Sequence, residues 1–418
     1  MDKFRIIGRT PLSGALAVSG SKNSSLPAIA ACLLTEEPVT LHRIPEVRDI
    51  GTMLKLLEYN GASVERLPSG AIRIHAAKIT NPEAPYDIVK TMRASSLVLG
   101  PLAARTGVAR VSMPGGCSIG ARPINLHING LEHLGATVNQ EHGYIEAAAP
   151  EGLRGNTVHF ERITVTGTED LMMAAALAKG TTVLENAARE PEVVDLAHLL
   201  TKMGANITGA GTSRIVIEGV TKLHGAEHEI IPDRIEAGTF VIAGVMTNSE
   251  IIVSNCVPEH FASLLTKLRQ AGARVEESAD AVQIRPVGKL RAVDMTTEEH
   301  PGFATDLQAQ FMALMTGATG ISFVTENIFE NRFMHVPELA RMGANIRIEG
   351  KQAIVAGPST LTGAQVMCSD LRASASLVLA ALVAEGESIL DRVYHVDRGY
   401  EKIESKLAAA GANIERVA

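Results

Sequence analysis

The sequence predicts an α/β protein built from six βαβαββ repeats of about 70 residues, three to a domain. Three observations carry that expectation: a six-fold repeated phrase, the same alternation of helical and strand patterns after each copy, and a last repeat that the first residues complete. The phrase is Leu-x-x-x-Gly-Ala, with its glycine at Gly61, Gly135, Gly204, Gly272, Gly343 and Gly411. The intervals are 74, 69, 68, 71 and 68 residues, so six units account for all 418.

Each unit opens on a small-residue apolar stretch that reads as a tightly packed helix: Leu26–Leu34, Leu97–Ala104, Leu171–Ala178, Phe240–Met246, Phe311–Met315 and Leu377–Ala384. A β-rich run follows, such as Pro38-Val-Thr-Leu or Thr181-Thr-Val-Leu. Next comes an amphipathic helix, as in Met53-Leu-Lys-Leu-Leu, which should end at the repeated glycine in a left-handed cap. Two short strands close the unit, as in Gly135-Ala-Thr-Val and Gly143-Tyr-Ile-Glu-Ala. The last unit stops one strand early, after Gly411-Ala-Asn-Ile-Glu-Arg-Val-Ala. Phe4-Arg-Ile-Ile-Gly with Leu12-Ser-Gly-Ala resembles Ala353-Ile-Val-Ala-Gly with Leu361-Thr-Gly-Ala, so residues 1–21 are expected to complete the sixth unit. The expected domains are 22–229, and 1–21 plus 230–418. An open six-unit solenoid is the alternative, and the wrap-around completion argues against it.

Composition narrows the function. With 39 Lys and Arg against 46 Asp and Glu, the net charge of −7 disfavours a general nucleic-acid binder. Apolar runs reach only about eight residues, far short of the roughly 20 of a membrane span. The opening residues lack the apolar core of a signal peptide. Cys32, Cys117, Cys256 and Cys368 form no CxxC pair and no zinc pattern, and read as free thiols of a cytoplasmic protein. No Walker loop, GxGxxG, HExxH or GxSxG is present, so chemistry without metal or nucleotide cofactor is expected.

The first helices carry a charged residue at one shared opening position: Lys22, Arg93, Glu169, Glu236, Asp306 and Arg372. Helix capping explains the three acids as well as function does. Lys22, Arg93 and Arg372 are different, because a cation at a helix N-terminus is unfavourable unless an anion also sits there, and this points to phosphate or carboxylate ligands. On the second helices, Arg48, Arg122 and Arg398 each stand 13 residues before their glycine and Arg332 stands 11 before, which suggests a cationic rim for a polyanionic substrate. Unit two is the longest between opener and glycine, 42 residues. Its extra length is the loop Met113-Pro-Gly-Gly-Cys-Ser-Ile-Gly-Ala-Arg-Pro-Ile-Asn, suited to a lid with Cys117 at its tip and Arg122 near enough to favour a thiolate. An incidental loop cysteine is the bland alternative. Cys32, Cys256 and Cys368 read as structural, and His127 and His133 as surface or satisfied structural histidines.

Ser21-Lys22-Asn23, Pro114-Gly-Gly-Cys117-Ser-Ile-Gly-Ala-Arg122-Pro, Asn186-Ala-Ala-Arg-Glu-Pro-Glu, Phe303-Ala-Thr-Asp306, Glu330-Asn-Arg332-Phe and Asp370-Leu-Arg372 together resemble the enolpyruvyl transferases, over essentially the whole chain. The resemblance implies two inside-out α/β barrels of three βαβαββ repeats each, with the active site in the cleft between them. It implies transfer of the enolpyruvyl group of phosphoenolpyruvate to the 3-hydroxyl of UDP-N-acetylglucosamine, with release of phosphate, at the first committed step of peptidoglycan synthesis. The sister branch, acting on shikimate 3-phosphate, lacks the PGGC loop. On the same resemblance Cys117 is the general acid for C3, can form a covalent phosphoenolpyruvate adduct and is the fosfomycin target. Asp306 deprotonates the sugar hydroxyl. Lys22, Arg122 and Arg398 grip the phosphate, and Arg93, Arg332 and Arg372 complete the anion site. Asn23, Pro123, Ile124, Asn125, Leu126, Arg162, Ile163, Thr164, Val165 and Ile328 match substrate-contacting positions. Arg48 and Arg162 stand where close relatives often carry Lys, which bears on affinity more than on the reaction. A catalytically silent UDP-sugar binder and a cysteine-nucleophile hydrolase are the rivals; the intact Cys117, Asp306, Lys22 and Arg398 oppose the first, and the want of an acid to orient His127 opposes the second.

Overall fold

The computed structural model describes residues 2–90, 92–113 and 124–418. Among these the chain forms two compact units, one of residues 20–231 and one that joins the first 19 residues to 232–418. Each has its own apolar core.

All six repeats build the same four-stranded sheet. In the second, Glu83–Ala84 lies parallel to Val108–Ser112, which pairs antiparallel with Tyr144–Ala148, and Thr137–Glu141 forms the far edge. The third repeat does the same with Thr157–His159, Thr181–Glu185, Arg214–Glu218 and Asn206–Thr208. The fifth uses Met295–Thr296, Gly320–Thr325, Gln352–Gly357 and Asn345–Glu349. In the sixth, the second strand of the closing hairpin is Lys3–Ile7. It is inserted antiparallel between Glu387–Asp391 and Asn413–Val417, with Phe4 opposite Leu390 and Ile6 opposite Ile414. This insertion supplies the strand that the last repeat lacks.

The rest of the N-terminal segment goes elsewhere. Ser13–Ala17 pairs parallel with Glu250–Ser254 in the sheet of the fourth repeat. The converse exchange completes the first repeat, where Glu227–Glu229 pairs parallel with Val39–His42. Only Lys3–Ile7 therefore belongs to the sixth repeat, while the strand after it leads a different one. The two exchanges occur where the chain passes from one unit to the other, because each leading strand stays behind when its helix crosses over.

Within each unit the first helices of the three repeats pack on one another and the sheets lie outside them. That placement explains their composition. Lys22–Ala31 is buried at every residue but Asn23, and Gln308–Met315 at every residue, so neither has a solvent face. Small side chains let these helices approach closely: a Cβ on Gly100 would come within 2.4 Å of the Asp170 carbonyl oxygen. The outer helices are amphipathic by contrast; Arg48–Tyr59 buries Ile50, Met53, Leu54, Leu56 and Leu57 on one side.

The repeated phrase is a helix stop. In all six copies the glycine takes a positive φ, from 89° at Gly135 to 105° at Gly61. The alanine after it donates its N–H to the carbonyl of the leucine five residues back, for example Ala62 to Leu57 at 3.0 Å, Ala205 to Leu200 at 2.9 Å and Ala412 to Leu407 at 3.0 Å. This is the Schellman arrangement, and the buried leucine and alanine are its apolar contact. At Gly272, φ is +98° and a Cβ would meet nothing within 4 Å, so Gly272→Ala isolates the backbone term. We expect a loss of about 1–2 kcal/mol in a urea titration; an unchanged midpoint would show that the cap carries no such strain.

Candidate active site

In the unit that holds 232–418, Asp306 and Arg372 stand at the starts of two inner helices, and Arg332 joins them from the turn before the helix Val336–Arg341. Asp370 caps the helix Leu371–Val383 by accepting from the N–H groups of Arg372 (2.8 Å) and Ala373 (3.2 Å). Arg372, only 2% exposed, donates from Nε to Oδ2 of Asp306 at 3.0 Å, and its Nη2 lies at the same distance. Burial works against the guanidinium charge, but Asp306, Tyr400 and Asp233 outweigh it and hold Arg372 above the ordinary arginine value. Asp306 sits in the 3-10 turn Thr305–Leu307 that leads into Gln308–Met315. Its other oxygen, Oδ1, accepts from Nη2 of Arg332 at 2.7 Å. One carboxylate is thus gripped by two buried guanidinium groups, each on a separate oxygen. Arg398 ends the 3-10 turn Val393–Arg398, two residues before Tyr400, whose hydroxyl meets Thr239 at 2.9 Å and Gln310 at 3.1 Å. Ile328 lies half-buried in the turn after strand Gly320–Thr325.

The unit of residues 20–231 holds the other group. Lys22 is the first residue of its helix, which Ser21 caps by accepting from the Ser24 N–H at 3.2 Å. Its ammonium lies 3.4 Å from Oδ2 of the buried Asp49, in the first turn of Arg48–Tyr59. The anion expected beside this cation is supplied by the chain itself, as Asp49, and at Arg372 the chain does so again through Asp306. Asn23 is half-buried beside Lys22. Arg93 opens the 3-10 helix Arg93–Val98, also half-buried.

Two expected substrate segments are tied together in this unit. Ile124, Asn125 and Leu126 start the helix Asn125–His133, and Arg162, Ile163, Thr164 and Val165 lead into Val165–Ala176, where Thr164 caps by accepting from the Gly167 N–H at 3.1 Å. The buried His127 joins the two, with Nδ1 2.9 Å from Oδ2 of Asp170 and Nε2 3.2 Å from the Thr166 hydroxyl. The other oxygen of Asp170 accepts from the Gly100 N–H at 2.7 Å. An acid does orient His127, contrary to the expectation from sequence; with both ring nitrogens bonded, it is a satisfied structural histidine.

Glu169 departs from its expected place. The helix begins a turn earlier, at Val165, so Glu169 is buried mid-helix and is not an N-terminal acid. Burial, then the nearby Glu192, Glu190 and Asp170, hold its carboxyl well above the usual range. Cys117, Arg122 and Pro123, with all of the expected lid between Met113 and Ile124, lie outside the described residues. Cys32, Cys256 and Cys368 are free and buried. Burial pushes the thiols of Cys256 and Cys368 up to about 11 and Cys32 higher still, so all three stay protonated and unreactive at neutral pH. No helix among the described residues is long and apolar enough to cross a membrane.

His335, packed near Arg332 and Asp370, is pushed down from 6.5 to about 4, by burial first and by Arg332, against the pull of Asp370. The unfolded chain takes a proton near pH 6.5 that the folded chain refuses until about pH 4. Stability from this site is whole above pH 6.5 and drains as pH falls through that window. Between pH 7 and 5, His335→Asn should therefore lose about 2 kcal/mol less than the parent in urea titrations. Glu236, pushed up to about 7 by burial, has the opposite sign but is common to both proteins. Equal losses would remove the assignment.

The fold is that of an enolpyruvyl-transferring class, as the comparisons with known proteins show. A family model described as EPSP synthase (3-phosphoshikimate 1-carboxyvinyltransferase) matches residues 6–407, and the chain belongs to that family. Two curated relatives are each named UDP-N-acetylglucosamine 1-carboxyvinyltransferase. The one from Solibacter usitatus is 68% identical over 418 residues, all of both chains. The one from Koribacter versatilis is 63% identical over all of this chain and 97% of its own. Among solved structures, the enolpyruvyl transferase NikO from Streptomyces tendae superposes with a TM-score of 0.89 at 27% identity, over 100% of this chain and 99% of that one.

Proposed function

We infer that this chain transfers the enolpyruvyl group of phosphoenolpyruvate to the 3-hydroxyl of UDP-N-acetylglucosamine and releases phosphate, as a step of peptidoglycan synthesis. The observation that carries this is the full-length identity of 68% to a relative of that name. The reaction is an addition followed by an elimination. The sugar oxygen bonds to C2 as its proton passes to a base, and C3 takes a proton from an acid. The tetrahedral ketal then returns a proton from C3 as the bond from C2 to the phosphate oxygen breaks.

We assign the base to Asp306 and the acid to Cys117. The enol carbon is a poor electrophile until C3 is protonated, which is why an acid must be poised against it. Lys22, Arg122 and Arg398 grip the phosphate, and Arg93, Arg332 and Arg372 serve the remaining anionic groups; fixed cations can neutralise this charge without reorganising. Asn23, Pro123, Ile124, Asn125, Leu126, Arg162, Ile163, Thr164, Val165 and Ile328 contact the two substrates. The helix starts at Ile124–Leu126 and Thr164–Val165 support this, since their first N–H groups are available to a phosphate or uracil oxygen. The small-molecule substrates need no nucleic-acid partner, and the net charge of −7 agrees. The buried free thiols favour a cytoplasmic setting.

The test is phosphate release from phosphoenolpyruvate, with and without UDP-N-acetylglucosamine, repeated after fosfomycin pretreatment. Release that depends on the sugar nucleotide and is blocked by fosfomycin is expected. Release with shikimate 3-phosphate in its place would transfer the chain to the sister activity, and release with neither would leave a binding protein.

A further inference from the structure

Glu326 is a buried carboxylate, 2% exposed, just after strand Gly320–Thr325. It is neither ion-paired to a neighbour within 4 Å among the described residues nor left bare; four donors surround it. Its Oε1 accepts from the Thr297 hydroxyl at 2.8 Å and from the N–H groups of Ile328 (2.8 Å) and Phe329 (3.1 Å). Its Oε2 accepts from the Thr305 hydroxyl at 2.8 Å. The Thr305 oxygen in turn accepts from Nη1 of Arg332 at 2.9 Å, and Nη2 of Arg332 reaches Asp306 at 2.7 Å.

We propose that Glu326 is a positioning residue for the transfer, acting through Thr305 and Arg332 to hold the Asp306 carboxylate in line. This rests on the function proposed above. The two oxygens of Glu326 divide the work. Oε1 fixes the turn that carries Ile328 and Phe329. Oε2 fixes a proton: with the Thr305 hydrogen pinned on the carboxylate, only lone pairs of that oxygen face Arg332. A carboxylate is required there, since an amide at Oε2 would donate to Thr305 and release its proton towards the guanidinium. Burial makes the arrangement rigid, because every atom in the chain would lose a partner by moving. Sequence reading passed over Glu326 because it lies outside the motifs and its partners come from three separate segments.

Glu326→Gln separates the two roles. Its carbonyl must face the three Oε1 donors, so the turn holding Ile328 stays, while its NH2 lands on Thr305. In phosphate-release kinetics on the full chain, kcat should fall about tenfold or more, with KM for UDP-N-acetylglucosamine within about threefold of the parent. Thr305→Val should behave alike. Because both act along one line, the double variant should be no slower than the slower single one. A kcat for E326Q close to the parent's would overturn the proposal, as would single losses that multiply in the double variant. Should E326Q fail to unfold cooperatively, T305V carries the test, and a parent-like kcat there overturns it. A parent chain that released no phosphate would instead strike the proposed function itself.

Discussion

Asp306→Asn should lower kcat by at least about 10²-fold while the protein stays folded. Asparagine keeps an acceptor for one guanidinium but cannot take a proton, so the loss belongs to chemistry. Arg332 holds Oδ1 at 2.7 Å and Arg372 holds Oδ2 at 3.0 Å, which fixes the orientation of the carboxylate that would take the proton. Asp306→Ala should do worse for a second reason. Arg372 is 2% exposed and its carboxylate partner would be gone; stripping one partner from a buried pair costs on the order of 3 kcal/mol. A defect confined to KM in the Asn variant would demote Asp306 to a binding residue.

Cys117→Ala should nearly abolish turnover, and Cys117→Asp should keep it while escaping fosfomycin. A carboxylic acid can still protonate C3, but it offers no sulfur to alkylate. The remaining thiols sharpen this experiment. With burial holding Cys256 and Cys368 near 11 and Cys32 above them, labelling at pH 7 should modify one thiol per native chain, and none in either variant. Parent-like rates in Cys117→Ala would remove the acid role. Undiminished fosfomycin inhibition of Cys117→Asp would place the alkylation elsewhere.

The repeat architecture was legible in the sequence because its marker is a local device. Leu-x-x-x-Gly-Ala specifies six similar caps without reference to anything distant, and the left-handed glycines follow from it. The insertion of Lys3–Ile7 was legible as well, from likeness to an internal repeat. The exchange of Ser13–Ala17 for Glu227–Glu229 was not, since either strand could satisfy either sheet by pattern alone. At the candidate site, the shared charged position pointed at Asp306 and Arg372 but could not show that they bind each other. Glu169 misled for a related reason: alignment on the apolar run set it at a helix start, while the cap at Thr164 starts the helix a turn sooner. Lys22 with Asp49 shows the common limit, because an internal counter-ion 27 residues away has no local signature.

The strand Lys3–Ile7 has a consequence for synthesis. It leaves the ribosome roughly 380–410 residues ahead of its hydrogen-bonding partners, Glu387–Asp391 and Asn413–Val417. At about 5–20 residues per second, it waits on the order of 20–80 s for them. The unit of 20–231 draws all its described strands from its own span and can fold while translation continues. The other unit cannot close until Asn413–Val417 has emerged, so a ribosome stalled short of that strand would leave one finished unit and one open sheet edge for chaperones to guard.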